Sequence, residues 1–186
     1  QIKNLWIKDR SGNISKNDIR QKINNLDELP FPDRDLYLDY PNLYKGTKNI
    51  IVTRGCLFDC SYCYNHVTKT LYSNSEKIMQ YRLPENVISE IKELKKKSLV
   101  RNITFQDSIF TFNKTWLLSF LKKYREEQIR IPFSATARAD MLDEEMIVSL
   151  KESGCKNIWF GIETGNEQIR NMLLKKRLDN QKIIEI

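Results

Sequence analysis

The most informative stretch of the chain is RGCLFDCSYCYNH, Arg54–His66, which follows directly on the apolar run Ile50–Val52. It contains Cys56, Cys60 and Cys63 with the spacing C-x3-C-x2-C. Three thiolates on one short loop can grip one face of an iron–sulfur cube, whose irons are usually held by four cysteine thiolates. Because the loop supplies only three, the spacing predicts a cluster with one iron open to another ligand.

The cysteine pattern also indicates the compartment. Three cysteines lie within eight residues, too close for a disulfide framework, and the fourth, Cys155, is far along the chain. No signal-peptide pattern opens the chain, and no apolar run approaches the roughly 20 residues of a membrane span. Such a cluster predicts a metal centre in a reducing compartment, so we expect a cytoplasmic protein.

The net charge of +7 does not by itself predict a nucleic-acid partner. Lysines and arginines are spread along the chain with acidic residues among them, as on an ordinary solvated surface. The densest run, Lys95–Lys97, lies where a predicted helix ends, and cations there complement the helix dipole. We therefore expect neither a nucleic-acid partner nor a membrane span.

From Lys48 onward, strand and helix patterns alternate. Short apolar runs predict four strands, at Ile50–Val52, Ile103–Phe105, Ile131–Ala135 and Ile158–Ile162. Amphipathic stretches predict helices that begin near Pro84, Asn113, Asp143 and Glu167. This alternation predicts an α/β domain of parallel strands joined by right-handed crossovers, in either an open doubly wound sheet or part of a barrel.

Residues 1–47 differ from this alternating region, residues 48–186. Leu5–Ile7 and Ile14 flank the turn-like stretch Arg10–Asn13, which predicts a short hairpin. Prolines then punctuate a stretch without clear periodicity, at Pro30, Pro32 and Pro41. We expect this stretch to be a connector packed on the edge of the core domain.

Two non-catalytic metal modules fit the same cysteines. His66 could complete a Cys3His zinc site, although zinc loops usually pair ligands from two separated knuckles. Alternatively, Cys155 could be the distant fourth ligand of a conventional cluster that only carries electrons.

The cysteine loop resembles the signature of the radical S-adenosylmethionine (SAM) superfamily, in which it follows the first strand of a partial (β/α)6 barrel. That signature has an aromatic residue before the third cysteine, and Tyr62 takes this place. The resemblance implies that the open iron of a 4Fe-4S cluster binds the amino and carboxylate groups of SAM, with Tyr62 near the adenine. It further implies reductive cleavage of SAM to a 5′-deoxyadenosyl radical, with an electron donor such as flavodoxin or ferredoxin.

Polar residues follow each of the later predicted strands, where functional side chains gather in parallel α/β folds. Asp107, Arg138 and Glu163 take these positions. We expect them to converge with the cysteine loop. Acids can bind ribose hydroxyls or the SAM amine, and arginine can pair with a carboxylate through two hydrogen bonds. Together with Tyr62, these are the predicted SAM-binding residues.

Three segments are similar to the cobalamin-associated branch of the superfamily: Ile103–Asn113, Thr136–Asp140 and Gly154–Gly165. Asp107-Ser108 stands where that branch often has two adjacent aspartates, so a role that needs the second acid is not predicted. The resemblance covers essentially the whole chain and implies a cobalamin domain outside it. The chain's only histidine is His66, so we predict no separate cobalt-ligating histidine.

The resemblance also specifies which α/β fold we expect. The family barrel has more strands than the four predicted here, so we expect a partial (β/α)6 TIM-like barrel truncated after about four β/α units. Gln1 and the helix-like run Lys182–Ile186 accordingly suggest that both ends are truncations. The sequence does not identify the substrate, for which a small molecule is the expectation. Methyl transfer, cyclisation or another rearrangement would fit.

Overall fold

The structure is a computed structural model that describes residues 2–35, 46–72 and 78–186. In chain order its strands are β1 Trp6–Lys8, β2 Ile14–Lys16, β3 Thr47–Ile50, β4 Thr53–Arg54, β5 Gln80–Tyr81, β6 Asn102–Phe105, β7 Phe133–Thr136 and β8 Cys155–Trp159. Its α-helices are α1 Asn65–Leu71, α2 Pro84–Lys97, α3 Lys114–Glu126, α4 Glu144–Glu152 and α5 Asn180–Ile184. Single turns of 3-10 helix cover Leu26–Glu28 and Ala139–Met141, and a π-helical turn covers Ile169–Leu173.

The central feature is a parallel sheet with the strand order β3-β6-β7-β8. Helices α2, α3 and α4 precede β6, β7 and β8 along the chain, and α3 contacts both α2 and α4. The predicted α/β class with parallel strands is confirmed. Because all four strands run the same way, their carboxyl ends lie along one edge of the sheet.

Helix starts follow the sequence signals closely. Pro84 occupies the first turn of α2, where its missing N–H costs no hydrogen bond. The side chain of Asn113 accepts a hydrogen bond from the Trp116 N–H and caps α3. Asp143 caps α4 in the same way through the Met146 N–H.

Strand limits depart from the sequence predictions in three places. The first central strand ends at Ile50 instead of continuing to Val52. The third begins only after Pro132, which has no N–H to donate to a neighbouring strand. The fourth is Cys155–Trp159, three residues earlier than predicted at both ends, because pairing with β7 fixes its position. Residues 160–162 are thus the connection that leads to Glu163.

An aromatic cluster fills the core between sheet and helices. Phe105, Phe110, Phe120 and Phe133 are fully buried, and their rings pack at centroid distances of 4.4–6.5 Å. Tyr124 joins them and donates a hydrogen bond from its hydroxyl to the Ile131 carbonyl. This core supports the sheet edge on which the cysteine loop rests.

A short hairpin and a connector precede the central sheet. β1 and β2 pair antiparallel around a turn with Gly12 at φ +91°. The connector docks through Asp27, whose carboxylate accepts the Leu83 N–H, and through the buried Leu26. Pro41 lies outside the described residues. None of the described helices could span a membrane.

Candidate functional site

The backbone makes a glycine-dependent turn just before the first cysteine. β4 pairs with β5, and Gly55 then takes φ +93°, a left-handed conformation that other residues adopt at a cost. A Cβ placed on Gly55 would lie 2.1 Å from the Ile78 carbonyl oxygen. The turn therefore requires glycine, since the close approach of Ile78 leaves no room for a side chain.

The three cysteines lie free of disulfides on one loop. Cys56 and Cys60 are buried, and Cys63 is half-buried. The Cys63 N–H donates to the Cys60 carbonyl at 3.0 Å, which closes a tight turn between the last two ligand positions. Burial, reinforced by the neighbouring cysteines, raises the pKa of the Cys56 thiol. Without a bound metal, the surroundings of Cys56 disfavour the charged thiolate form of this residue.

Asn65 connects the last cysteine to the end of β6. Its side-chain amide donates to Cys63 Sγ at 3.4 Å and to Ser108 Oγ at 3.1 Å. Hydrogen bonds to cluster sulfurs are one way in which proteins set cluster potential. The Asn65 amide is therefore suited to donate a hydrogen bond to a thiolate that binds iron.

The described side chains do not form a site for a single metal ion. Among residues 2–35, 46–72 and 78–186, no group of three or more His, Cys, Asp and Glu gathers around one point. His66 instead directs Nδ1 to the carbonyl of Cys63. The imidazole is thus hydrogen-bonded to the backbone of the loop that carries Cys63.

Cys155 lies at the wrong end of the sheet to be a fourth ligand. It is the first residue of β8 and pairs with Phe133, the first residue of β7. The cysteine loop follows the carboxyl end of β3, so about a strand length, at roughly 3.3 Å per residue, separates the two. Burial raises the pKa of the Cys155 thiol to about 11, and its Sγ donates to the Asn157 carbonyl. This position favours Cys155 as a partly buried residue of β8 over a cluster ligand.

Tyr62 and Glu163 lie together beside the cysteine loop. The Tyr62 hydroxyl donates to Glu163 Oε1 at 2.9 Å. Lys176 Nζ lies 3.0 Å from the same oxygen and 3.1 Å from the tyrosine hydroxyl. Lys176, and then Tyr62, hold the pKa of Glu163 below its usual range against burial. Burial and the Glu163 hydrogen bond raise the pKa of Tyr62, so its hydroxyl stays protonated.

Lys176 is the residue that the sequence analysis missed. It lies in the run Lys175–Arg177, which looks like a solvated charge run, yet its exposure is only 7%. Its position depends on the chain after β8 returning to the cysteine loop. No local sequence signal predicts that contact.

Arg138 reaches the same group of residues and donates hydrogen bonds through Nε and Nη2. Its guanidinium pairs with Asp140 through two hydrogen bonds of 2.9 and 2.8 Å. It also donates to the carbonyls of Lys176 and Arg177, and lies 3.8 Å from the centre of the Phe58 ring in the cysteine loop. Arg138 therefore joins the loop to the Lys176 segment.

Asp107 takes a separate place, at the approach to the cysteine loop. Its Oδ1 accepts from the Val52 and Thr53 N–H groups at 3.0 and 2.6 Å, and from the Thr53 hydroxyl at 2.6 Å. Its Oδ2 is buried and makes no hydrogen bond within the described part of the chain. Burial raises the pKa of Asp107 to about 6, although the hydrogen bonds from Thr53 and Val52 oppose the shift. Arg138 and Glu163 thus both contact Lys176, whereas in the described part of the chain Asp107 has no hydrogen bond to either of them.

A cleft of about 720 Å³ opens on the other side of Asn65, between α1 and the connector. Among the described residues that line it, four are cationic and none is acidic: Arg20, Lys22, Arg54 and Lys69. Lys69 also pairs with Asp59, and Lys22 donates to the Ile78 carbonyl. The remaining cations, Arg20 and Arg54, suit an anionic group.

Comparison with known proteins identifies the family. The model of the radical SAM superfamily matches residues 50–186. The chain belongs to this superfamily. Over 175 residues it is 27% identical to the uncharacterized methyltransferase PH0819 of Pyrococcus horikoshii, covering 93% of this chain and 37% of that protein. Over 167 residues it is 23% identical to cytidylyl-2-hydroxyethylphosphonate methyltransferase of Streptomyces wedmorensis, covering 83% and 30%. This radical SAM chain thus spans about a third of the length of these relatives.

Solved radical SAM structures share the fold. The apo structure of OxsB, a cobalamin-dependent SAM radical enzyme, matches with a TM-score of 0.68 at 19% identity, over 96% of this chain and 26% of that chain. TsrM from Kitasatospora setae, a radical SAM methyltransferase solved with cobalamin and a [4Fe-4S] cluster, matches at 0.55 with 18% identity, over 68% and 22%. The predicted family is confirmed, and its cobalamin-associated branch is represented among these neighbours.

Gly55→Ala tests the turn before Cys56. The left-handed backbone alone should lower the free energy of unfolding by about 1–2 kcal/mol, and the overlap with Ile78 should displace Cys56. We expect markedly less iron after anaerobic reconstitution, measured together with urea unfolding. Gly165→Ala is the matched control, because a Cβ there meets nothing within 4 Å. Equal iron content and stability in the two variants would contradict the prediction.

Asp107→Asn tests the buried carboxyl. The pKa of about 6 in the folded state exceeds the unfolded value of 3.8, so this group's stabilising contribution is complete below pH 3.8 and is lost as the pH rises through 6. Relative to the Asn variant, the wild type should lose about 1–2 kcal/mol of unfolding free energy between roughly pH 5 and pH 7.5. Urea unfolding at several pH values across this range measures this loss. If the unfolding free energies of the wild type and the Asn variant changed with pH in parallel, the raised pKa of Asp107 would be excluded.

Proposed function

We propose that this chain is the core of a radical SAM enzyme that binds a 4Fe-4S cluster through Cys56, Cys60 and Cys63. The observation that carries the proposal is the position of this C-x3-C-x2-C loop at the carboxyl edge of a parallel sheet, in a chain of this family. When bound, the cluster and SAM supply an electron and a 5′-deoxyadenosyl radical. The protein's part is to hold them and to exclude side reactions.

The cysteine loop fits such a cluster in its chemistry. It offers three thiols and no disulfide, and the Asn65 amide is placed to donate to one sulfur. Cys155 and His66 are engaged elsewhere by the Asn157 and Cys63 carbonyls. We assign the remaining iron to SAM, as the family resemblance implies.

Tyr62 and Glu163 are the residues that we assign to the adenosine part of SAM. Both side-chain hydrogen bonds that Glu163 accepts end on Oε1. We therefore assign Oε2 to a ribose hydroxyl, since carboxylates accept hydrogen bonds from such groups. The Tyr62 ring is half-exposed, which suits contact with adenine.

Arg138 and Asp107 remain predictions as SAM ligands, and their contacts give each a second role. Arg138 holds the backbone of Lys176 and Arg177 close to the cysteine loop. Asp107 fixes the chain from Val52 to Thr53, from which the loop departs. In these roles both shape the pocket without touching the ligand.

Methyl transfer is the net reaction that the named relatives favour, since both are called methyltransferases. We also propose cobalamin in a domain outside this chain; in support, OxsB is a cobalamin-dependent enzyme and TsrM was solved with cobalamin bound. We further propose a small-molecule substrate, with an anionic group suited to the cationic cleft beside Asn65. The proposal also includes an electron donor such as flavodoxin or ferredoxin and a cytoplasmic location. It divides the chain into an N-terminal region, residues 1–47, and a partial (β/α)6 barrel, residues 48–186.

Product analysis tests the reaction class. The anaerobically reconstituted protein should be brown and contain about four irons per chain. With dithionite and SAM it should release 5′-deoxyadenosine, detected by liquid chromatography with mass detection. A brown protein that leaves SAM intact would indicate an electron carrier, and a colourless zinc protein would refute the cluster.

Cys60→Ala tests the ligand assignment. Two remaining thiolates hold a cube poorly, so iron content should fall to less than about a quarter of the wild-type value. Cys155→Ala is the matched control, since Cys155 lies at the opposite end of the sheet, and it should keep its iron and its 5′-deoxyadenosine formation. Equal iron in both variants would show that Cys60 is not a ligand.

A further inference from the structure

We infer that Lys176 is a positioning residue that sets the adenosine side of the SAM pocket. This inference rests on the proposed function, because it concerns the pocket that Tyr62 and Glu163 form. Lys176 would act through these two side chains and not by touching the reacting atoms.

Lys176 contacts three of the four predicted SAM-binding residues. Its Nζ donates to Glu163 Oε1 at 3.0 Å and to the Tyr62 hydroxyl at 3.1 Å. Its backbone carbonyl accepts from Arg138 Nη2 at 3.0 Å. A single buried cation thus fixes the carboxylate and the phenol relative to each other, and leaves Glu163 Oε2 for a ligand.

The backbone around Lys176 is held in a conformation that it would not adopt freely. Lys175 and Arg177 both have φ +52°, in the left-handed region that costs most residues roughly 1–2 kcal/mol each. Before this point, the Leu173 and Leu174 carbonyls accept from Ser61 Oγ and N–H at 2.8 and 3.0 Å. The cysteine loop itself therefore anchors the segment that delivers Lys176.

Contacts on the far side complete the anchoring. The Leu178 N–H donates to Asn171 Oδ1 at 2.8 Å, and the Leu178 carbonyl accepts from Arg170 Nε at 2.7 Å. Arg170 is itself fully buried. Because both ends are fixed, the Lys176 ammonium is held in place before a ligand arrives, and SAM binding need not order it.

Gly161 leaves the space that this ion pair occupies. A Cβ at Gly161 would lie 2.1 Å from Glu163 Oε1 and 3.2 Å from Lys176 Nζ. Gly161→Ala should therefore displace the pair without removing either charge. It provides a second variant that perturbs the geometry while the lysine is still present.

The test compares SAM affinity with cluster content. In Lys176→Met, which keeps the aliphatic stem, we expect the SAM dissociation constant to rise at least about tenfold while iron per chain stays at the wild-type value. The dissociation constant for 5′-deoxyadenosine should rise by a similar factor. Lys176→Arg should recover most of the loss, and Gly161→Ala should weaken SAM binding in the same direction. Isothermal titration calorimetry under anaerobic conditions measures each of these dissociation constants.

Lys182→Met is the control, because Lys182 pairs with Glu185 on the exposed surface of α5. Its SAM affinity should match the wild type. If Lys176→Met binds SAM as the wild type does, or loses its iron, the positioning role is refuted while the proposed function stands. If the reconstituted wild type does not bind SAM, the proposed function and this inference both fail.

Discussion

The site depends on how the chain leaves β3 and enters the cysteine loop, and a buried carboxylate controls that step. Asp107, at the end of β6, accepts three hydrogen bonds from Val52 and Thr53 on one oxygen. Burying a carboxylate is costly, and these bonds offset part of the cost. They also leave two adjacent backbone N–H groups satisfied where the strand ends and the sheet offers no partner. The direction in which Cys56 is presented follows from this contact and from the left-handed turn at Gly55.

The cysteine loop is also held by hydrogen bonds to the segment that follows β8. Ser61 bonds to Leu173 across 112 residues of chain, and Tyr62 bonds to Lys176 across 114. Contacts of such separation form only when the sheet has brought the ends of β3 and β8 to the same edge. The cysteine loop and the segment after β8 therefore stabilise each other, and the pocket between them exists only in the folded domain.

Local chemistry explains what the sequence could predict, and distance explains what it could not. Helix starts at Asn113 and Asp143 were predictable because a cap needs only neighbouring residues. The cysteine spacing was informative for the same reason. The limits of β8 were not predictable, because the apolar run continues past Trp159. The strand ends there because Trp159 pairs with Thr136, the last residue of β7. Lys176 lies among other cations, and only the return of the chain to Tyr62 reveals that it is buried.

Asp107 and Ser108, the neighbours that follow β6, hold the cysteine loop from two sides. Asp107 holds the chain before the first cysteine, and Ser108 holds Asn65 just after the third. The two neighbours at the end of β6 thus fix the cysteine loop on both sides. Asn65 also donates to Cys63 Sγ, so a single amide connects the end of β6 to the last cysteine. The position of the cysteine loop therefore depends on the sheet that carries β6 and not on the loop alone.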